Sequence, residues 1–431
     1  ILYNLPLLEF RRVLFRSINR KAYMQKVFVS FLFVLFFFQG NCQVQKFSEV
    51  PSEFLKQLSG FFAESSTRYK EGKSLMEDFK KAWELKMIDS VYLSQIIETT
   101  HLLTARRAKN FPHVYDYVLL AFEMTQNEKY ISNWDKFHQG LHFIIGQKKI
   151  SLNTISEYCQ NTYSLIYDRI IFKSGAIVWQ VSNPEFQLLF DSTISIRFTK
   201  TDLCCHVGDD SIKICETSGL FYPISKIWEG SKGKVYWTMA KLEPEIVYAD
   251  LSKYQIDITR PHYKADSVTF THLGYFNFPM FGHIQDKVMN YTANQVPVYP
   301  KFVSYNQRYS IEKIFEGINY LGGFTMQGEK FIGSGNETQD AELKIFRKVE
   351  VTRDNEIFIE DRLFMTCRSK YYAFREKNIT GKNASVSIYL DNDSIYHPGL
   401  LFRYFDDTRL VNLVRDNDPE TLSKSKYFDS F

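Results

Sequence analysis

The sequence predicts a segregated α+β protein: an N-terminal α-helical bundle or set of stacked helix pairs, followed by a predominantly β region. Three observations predict it. Apolar residues recur every three or four positions between Phe54 and Ile166, the period of a helix face. After about residue 170 the pattern becomes strict alternation, as in Ile194-Ser195-Ile196-Arg197-Phe198, the period of a half-buried strand. Gly and Asn/Asp clusters then punctuate the chain every ~8 to 15 residues, as the turns of an all-β region do.

The start of the chain stands apart. Leu8 to Ser17, LEFRRVLFRS, resembles a translated sequencing adapter, so residues 1–23 are expected to be a non-native leader. Residues 24–42 have the layout of a signal peptide: Lys26 as the positive region, Val27 to Phe38 as the apolar run, and the small residues Gly40 and Cys42 before a cleavage point at Gln43. About 12 apolar residues are too few to span a bilayer, which takes ~20. Export to the periplasm, outer envelope surface or medium is the expectation, with no transmembrane segment after the signal.

Removing this leader changes the charge. The chain has 53 basic and 49 acidic residues; setting aside the six and the one before Gln43 leaves 47 against 48. A near-neutral chain gives no electrostatic case for nucleic acid.

Six helices are predicted within a helical domain at 46–168. Phe54, Leu55, Leu58, Phe61 and Phe62 follow Pro51, a residue suited to a helix start. Leu75, Met76, Phe79, Ala82 and Trp83 form the second stripe, and Val91, Tyr92, Ile96, Ile97, Leu102 and Leu103 the third. Val114–Met124, Trp134–Ile145 and Ile155–Ile166 complete the set. Two β-rich regions follow, 170–310 and 311–431, arranged as stacked, solenoid-like β-structure or as an antiparallel sandwich. The ending Lys426 to Phe431 has neither a polar tail nor a capping helix, so the β region is expected to continue beyond it.

Several stretches invite chemical readings. His138 and His142 stand at the spacing of a metalloprotease helix, but Gln139 replaces the general-base Glu, so packing is the better account. Gly322 to Gly335 echoes a phosphate loop yet lacks its Lys-Ser/Thr, and alternating Phe324, Met326 and Phe331 read as strands. Asp202 to Cys215 reads as a hairpin. If its turn is the four-residue Gly208-Asp209-Asp210-Ser211, Cys204 faces Cys215 and a disulfide is in reach. Plain thiols, or a metal site with His206, are the rivals, and no metal is expected. Trp228 and Trp237 flank another predicted hairpin, where they either stabilise the sheet or form a platform for sugar rings. Asp before a strand-like run, as at Asp250, Asp266 and Asp393, is ordinary turn chemistry or the mark of a repeating coil.

The texture from Leu220-Phe221-Tyr222-Pro223 to His397-Pro398-Gly399, including Ala265-Asp266-Ser267-Val268 and Gly322-Gly323-Phe324, resembles large exported bacterial envelope proteins with long β-rich regions. That resemblance implies a non-enzymatic envelope or surface protein with a scaffold or binding role, partnered by envelope proteins or polysaccharide and needing no cofactor. The alternative is an exported carbohydrate-active enzyme or polysaccharide-binding protein. No catalytic motif is present to name acid, base or nucleophile.

Overall fold

A computed structural model describes residues 46–183, 185–290, 295–305, 308–375 and 377–415. The expected leader, the signal stretch and the ending Lys426 to Phe431 lie outside these residues. Among the described residues seven α-helices precede a large antiparallel β region, so the protein is segregated α+β.

The helices are α1 (Pro51–Ala63), α2 (Tyr69–Glu84), α3 (Ser90–Ala105), α4 (Tyr115–Thr125), α5 (Glu128–Ile131), α6 (Trp134–Gly146) and α7 (Leu152–Asp168). Six match the apolar stripes. The seventh, α5, is a single turn too short to carry a periodic signal; the Asn127 side chain caps it by accepting the Lys129 N–H at 3.0 Å. The predicted faces turn inward: Phe54, Leu55, Leu58 and Phe62 of α1 are buried, as are Leu75, Met76, Phe79 and Ala82 of α2. Val91 and Leu102 are exceptions, exposed on α3, while Leu93 is buried.

Helix α7 ends where Arg169 adopts a left-handed conformation (φ 61°), and strand Ile170–Ser174 begins at the next residue. The helical layer then packs on the first sheet. Gly140 of α6 lets it approach closely, since a Cβ there would sit 2.9 Å from Ile194 Cγ1. The buried Asn133 side chain accepts the Leu188 N–H at 2.7 Å, joining helix start to strand Gln187–Phe190.

Among the described residues every strand pairing is antiparallel. Long strands change partners midway. Asp210–Tyr222 pairs with Ile194–Val207 along most of its length, then adds Ile227–Ser231 beyond residue 217. Four register shifts coincide with an L-residue at positive φ: Glu216 (51°), Ser267 (55°), Lys313 (54°) and Asn383 (46°). Such bulges insert extra residues on one strand, bend it and sharpen its twist, which lets one strand serve two sets of neighbours. At Ser267 the Asp266 side chain accepts the Ser267 N–H at 2.9 Å, so the aspartate before the strand run serves local backbone chemistry.

Pairing runs across residue 310, because Lys301–Ser304 is bonded to Ile318–Gln327. The interior there is aromatic. Phe324 stacks on Phe331 at 4.7 Å between ring centres, and Phe270 on Phe302 at 4.4 Å. Among the described residues no helix is long and apolar enough to cross a membrane.

Candidate functional site

Trp228 and Trp237 do not form a surface platform. Both are fully buried, and the strands Ile227–Ser231 and Lys234–Tyr236 pair with other strands rather than with each other across one hairpin. Trp228 sits in Ile227–Ser231, paired between Ser218–Tyr222 and Lys253–Asp257, and packs on Phe198 at 5.5 Å. Trp237 follows Lys234–Tyr236, which pairs with Val247–Asp250 and, at Lys234, with Cys215; its indole N–H donates to the Pro300 carbonyl at 2.9 Å and its ring meets Phe270. The turn between the two strands leads the chain from one ladder to another, which removes the cross-strand meeting that alternation predicts.

The histidine pair is also internal. His138 lies 3.0 Å from both the Tyr117 hydroxyl and the Trp134 carbonyl, while His142 is 2.7 Å from the Thr99 hydroxyl. Burial pushes the His138 imidazole down to about 4, so it is neutral at ordinary pH. Gly322 to Gly335 is a strand pair, Ile318–Gln327 with Lys330–Ser334, turning at Gly328 (φ 55°).

The cysteine hairpin has a tighter turn than expected. Val207 pairs with Asp210, leaving only Gly208 and Asp209 in the loop, so Cys204 faces Lys213 instead of Cys215. Cys215 is two residues farther along the same face, and both thiols are free. Lys213 lies beside both sulfurs and makes a 2.7 Å ion pair with Asp202. Burial pushes the Cys204 thiol up to about 11 against the pull of Lys213, and it raises Cys215 likewise. Burial also works against ionised Asp202, but its bonds from Lys213 and the Glu216 N–H hold that carboxyl below the usual range.

Lys213 and Cys215 open onto a cavity of about 180 Å³, also lined by Asp210, Tyr236, Met239 and Asp286. Asp286 is the group that sequence reading missed; nothing in Ile284-Gln285-Asp286-Lys287 marks it as interior except alternation. Burial raises its carboxyl to about 7, and the nearby Asp210 carboxylate adds to the rise. The Lys287 N–H, donating at 2.9 Å, opposes it. Asp210 in turn accepts the Met289 and Asn290 N–H groups, at 2.9 and 2.8 Å, and so pins the following loop to the hairpin tip.

A second concavity, about 470 Å³, crosses the sheet near the ends of four strands. Register places Gly323 opposite Ser334, and Ser334 opposite Tyr371, so these three share one face. Ser304 completes the row: a Cβ on Gly323 would lie 3.0 Å from the Ser304 hydroxyl and 3.3 Å from that of Ser334. Tyr305 and Tyr371 stand at the two ends of the row, with 38% and 57% of their surface exposed.

A third feature is apolar. The hairpin of Ala341–Arg353 with Glu356–Ser369 exposes the successive residues Ile357, Phe358 and Ile359. Successive strand residues point to opposite faces, so this tip is uncovered on both sides. Comparison with protein-family models, with curated proteins and with solved structures finds no match to this chain.

Proposed function

We propose that the chain is an exported, non-enzymatic cell-envelope or surface protein, with the β region acting as scaffold and binding surface. The single observation that carries the reading is the Ile357-Phe358-Ile359 tip. Exposed contiguous apolar surface costs solubility unless it meets a partner, and folded proteins rarely retain it without one. Ile395, Tyr396, Leu410 and Val414 add exposed apolar surface on the strands that follow, Ser394–Phe405 and Leu410–Val414. Among the described residues Leu410–Val414 pairs only with Ser394–Phe405, leaving backbone donors and acceptors along its other edge. The apolar run Val27 to Phe38 supports export.

Fractionation of the producing cells tests this. Recovery in the envelope or the medium is expected, with a mature N-terminus near Gln43; recovery in the cytoplasm with the apolar run intact refutes it. A second reading, polysaccharide binding, is favoured by the tyrosine-flanked concavity and not by the tryptophans.

A further inference from the structure

We infer that the concavity between Tyr305 and Tyr371 is a binding site for a neutral pyranose chain. The inference deepens the binding role proposed above and rests on it. A saccharide needs two kinds of surface at once: a flat apolar face for its C–H groups and hydrogen-bonding groups aimed at its hydroxyls. Gly323, Ser334 and Tyr371, in line across the sheet, with the Ser304 hydroxyl beside Gly323, supply both.

The floor is shaped by what Gly323 lacks. A Cβ there would sit 3.0 and 3.3 Å from the Ser304 and Ser334 hydroxyls, so glycine is what lets the two hydroxyls meet at the floor. The Ser304 oxygen accepts the Phe324 N–H at 2.9 Å, which leaves its own O–H as a donor. Tyr305 is held in place, its hydroxyl bonded to the Asp266 carboxylate and accepting the Ser267 N–H at 2.8 Å. A ring fixed before binding loses little entropy when a ligand stacks on it. Tyr371, at the other end, has the Lys370 ammonium 5.8 Å from its ring centre.

The span fits the ligand. Three inter-strand steps separate the outer strands of the row, about 14 Å, enough for two or three sugar rings. A volume of about 470 Å³ is within the usual range for small-ligand sites. Among the described residues the rim holds one cation, Lys370, and one anion, Glu337, which cancel, so they give no net preference for a charged chain.

The test is affinity electrophoresis of the full chain through gels containing xylan, laminarin, dextran or hydroxyethylcellulose. Retardation by at least one is expected. Tyr371→Ala should weaken it about tenfold, the loss of one aromatic stack, and Ser334→Ala should weaken it less. Thermal unfolding of both variants shows whether they remain folded; because Tyr371 is exposed, an unchanged midpoint is expected. No retardation by any of the four polysaccharides, or equal retardation of the native chain and both folded variants, overturns the site. Fractionation separates this from the broader reading: an envelope-located chain that is not retarded refutes the saccharide site alone. A retarded chain found in the cytoplasm refutes the envelope assignment alone.

Discussion

Asp286 shows how far one buried residue departs from its usual chemistry. Its folded-state carboxyl titrates at about 7, whereas an unfolded aspartate titrates near ~3.9. Between those values the folded chain keeps a proton that the unfolded chain releases. The folded state therefore binds more protons, and this residue's contribution to stability falls as pH rises from about 4 to 7. Above the folded value the loss levels off. Denaturant titrations of native and Asp286→Asn chains at pH 4, 5, 6, 7 and 8 should show the difference between them moving in favour of the variant through that window. A pH-independent difference would contradict the assignment. The cysteines give a second residue-scale prediction. Because reactivity follows the thiolate and burial raises both thiols, Cys204 and Cys215 should alkylate slowly at pH 7 without prior reduction, and faster as pH rises. Mass spectrometry of iodoacetamide-treated protein reads this directly; labelling that requires a reductant would restore the disulfide that the four-residue turn implied.

At the scale of the element, two glycines separate tolerance from constraint. Gly60 lies inside α1 with nothing within 4 Å of its missing Cβ. Gly60→Ala should stabilise the protein by ~0.5 to 1 kcal/mol, the helix-propensity difference. Gly230 lies in Ile227–Ser231, where an added Cβ would sit 2.0 Å from the Tyr254 Cζ. Tyr254 cannot swing away freely, since its hydroxyl is bonded to Thr217 at 2.6 Å in the interior. Gly230→Ala should therefore cost ~1 to 3 kcal/mol by overpacking. Chemical denaturation of both variants checks the opposite signs. The helices were legible because their stripes repeat over many residues; Phe54, Leu55, Leu58 and Phe62 mark a face unaided. Three of these bulges were not, because Glu216, Ser267 and Lys313 are not residue types that advertise positive φ; Asn383 is such a type, but many asparagines never adopt it. Only the pairing of the strands on either side demands them.

For the whole molecule, the apolar hairpin tip sets the expected behaviour. Ile357 and Ile359 are each 68% exposed, so replacing both with Lys removes no core contact. The double variant should keep its stability to within ~0.5 kcal/mol while eluting earlier from a hydrophobic-interaction column. A variant that unfolds, or that is retained like the native chain, would show that the tip is not free surface.

The sequence by itself determined the division into helices and strands, the near-neutral charge of the chain after Gln43, and the inward stripes of the helices. Each depends on a periodicity or a count that is local to the chain. Tertiary structure alone decided the fate of the candidate sites. Trp228 and Trp237 share a stretch of sequence yet belong to different ladders, Cys204 faces Lys213 because the turn closes on two residues, and Ser304, Gly323, Ser334 and Tyr371 come together from four strands. Alternation tells which residues share a face of one strand. Which strand lies beside it, and in what register, is set by long-range pairing and by bulges, and a shift of one residue turns every side chain to the opposite face.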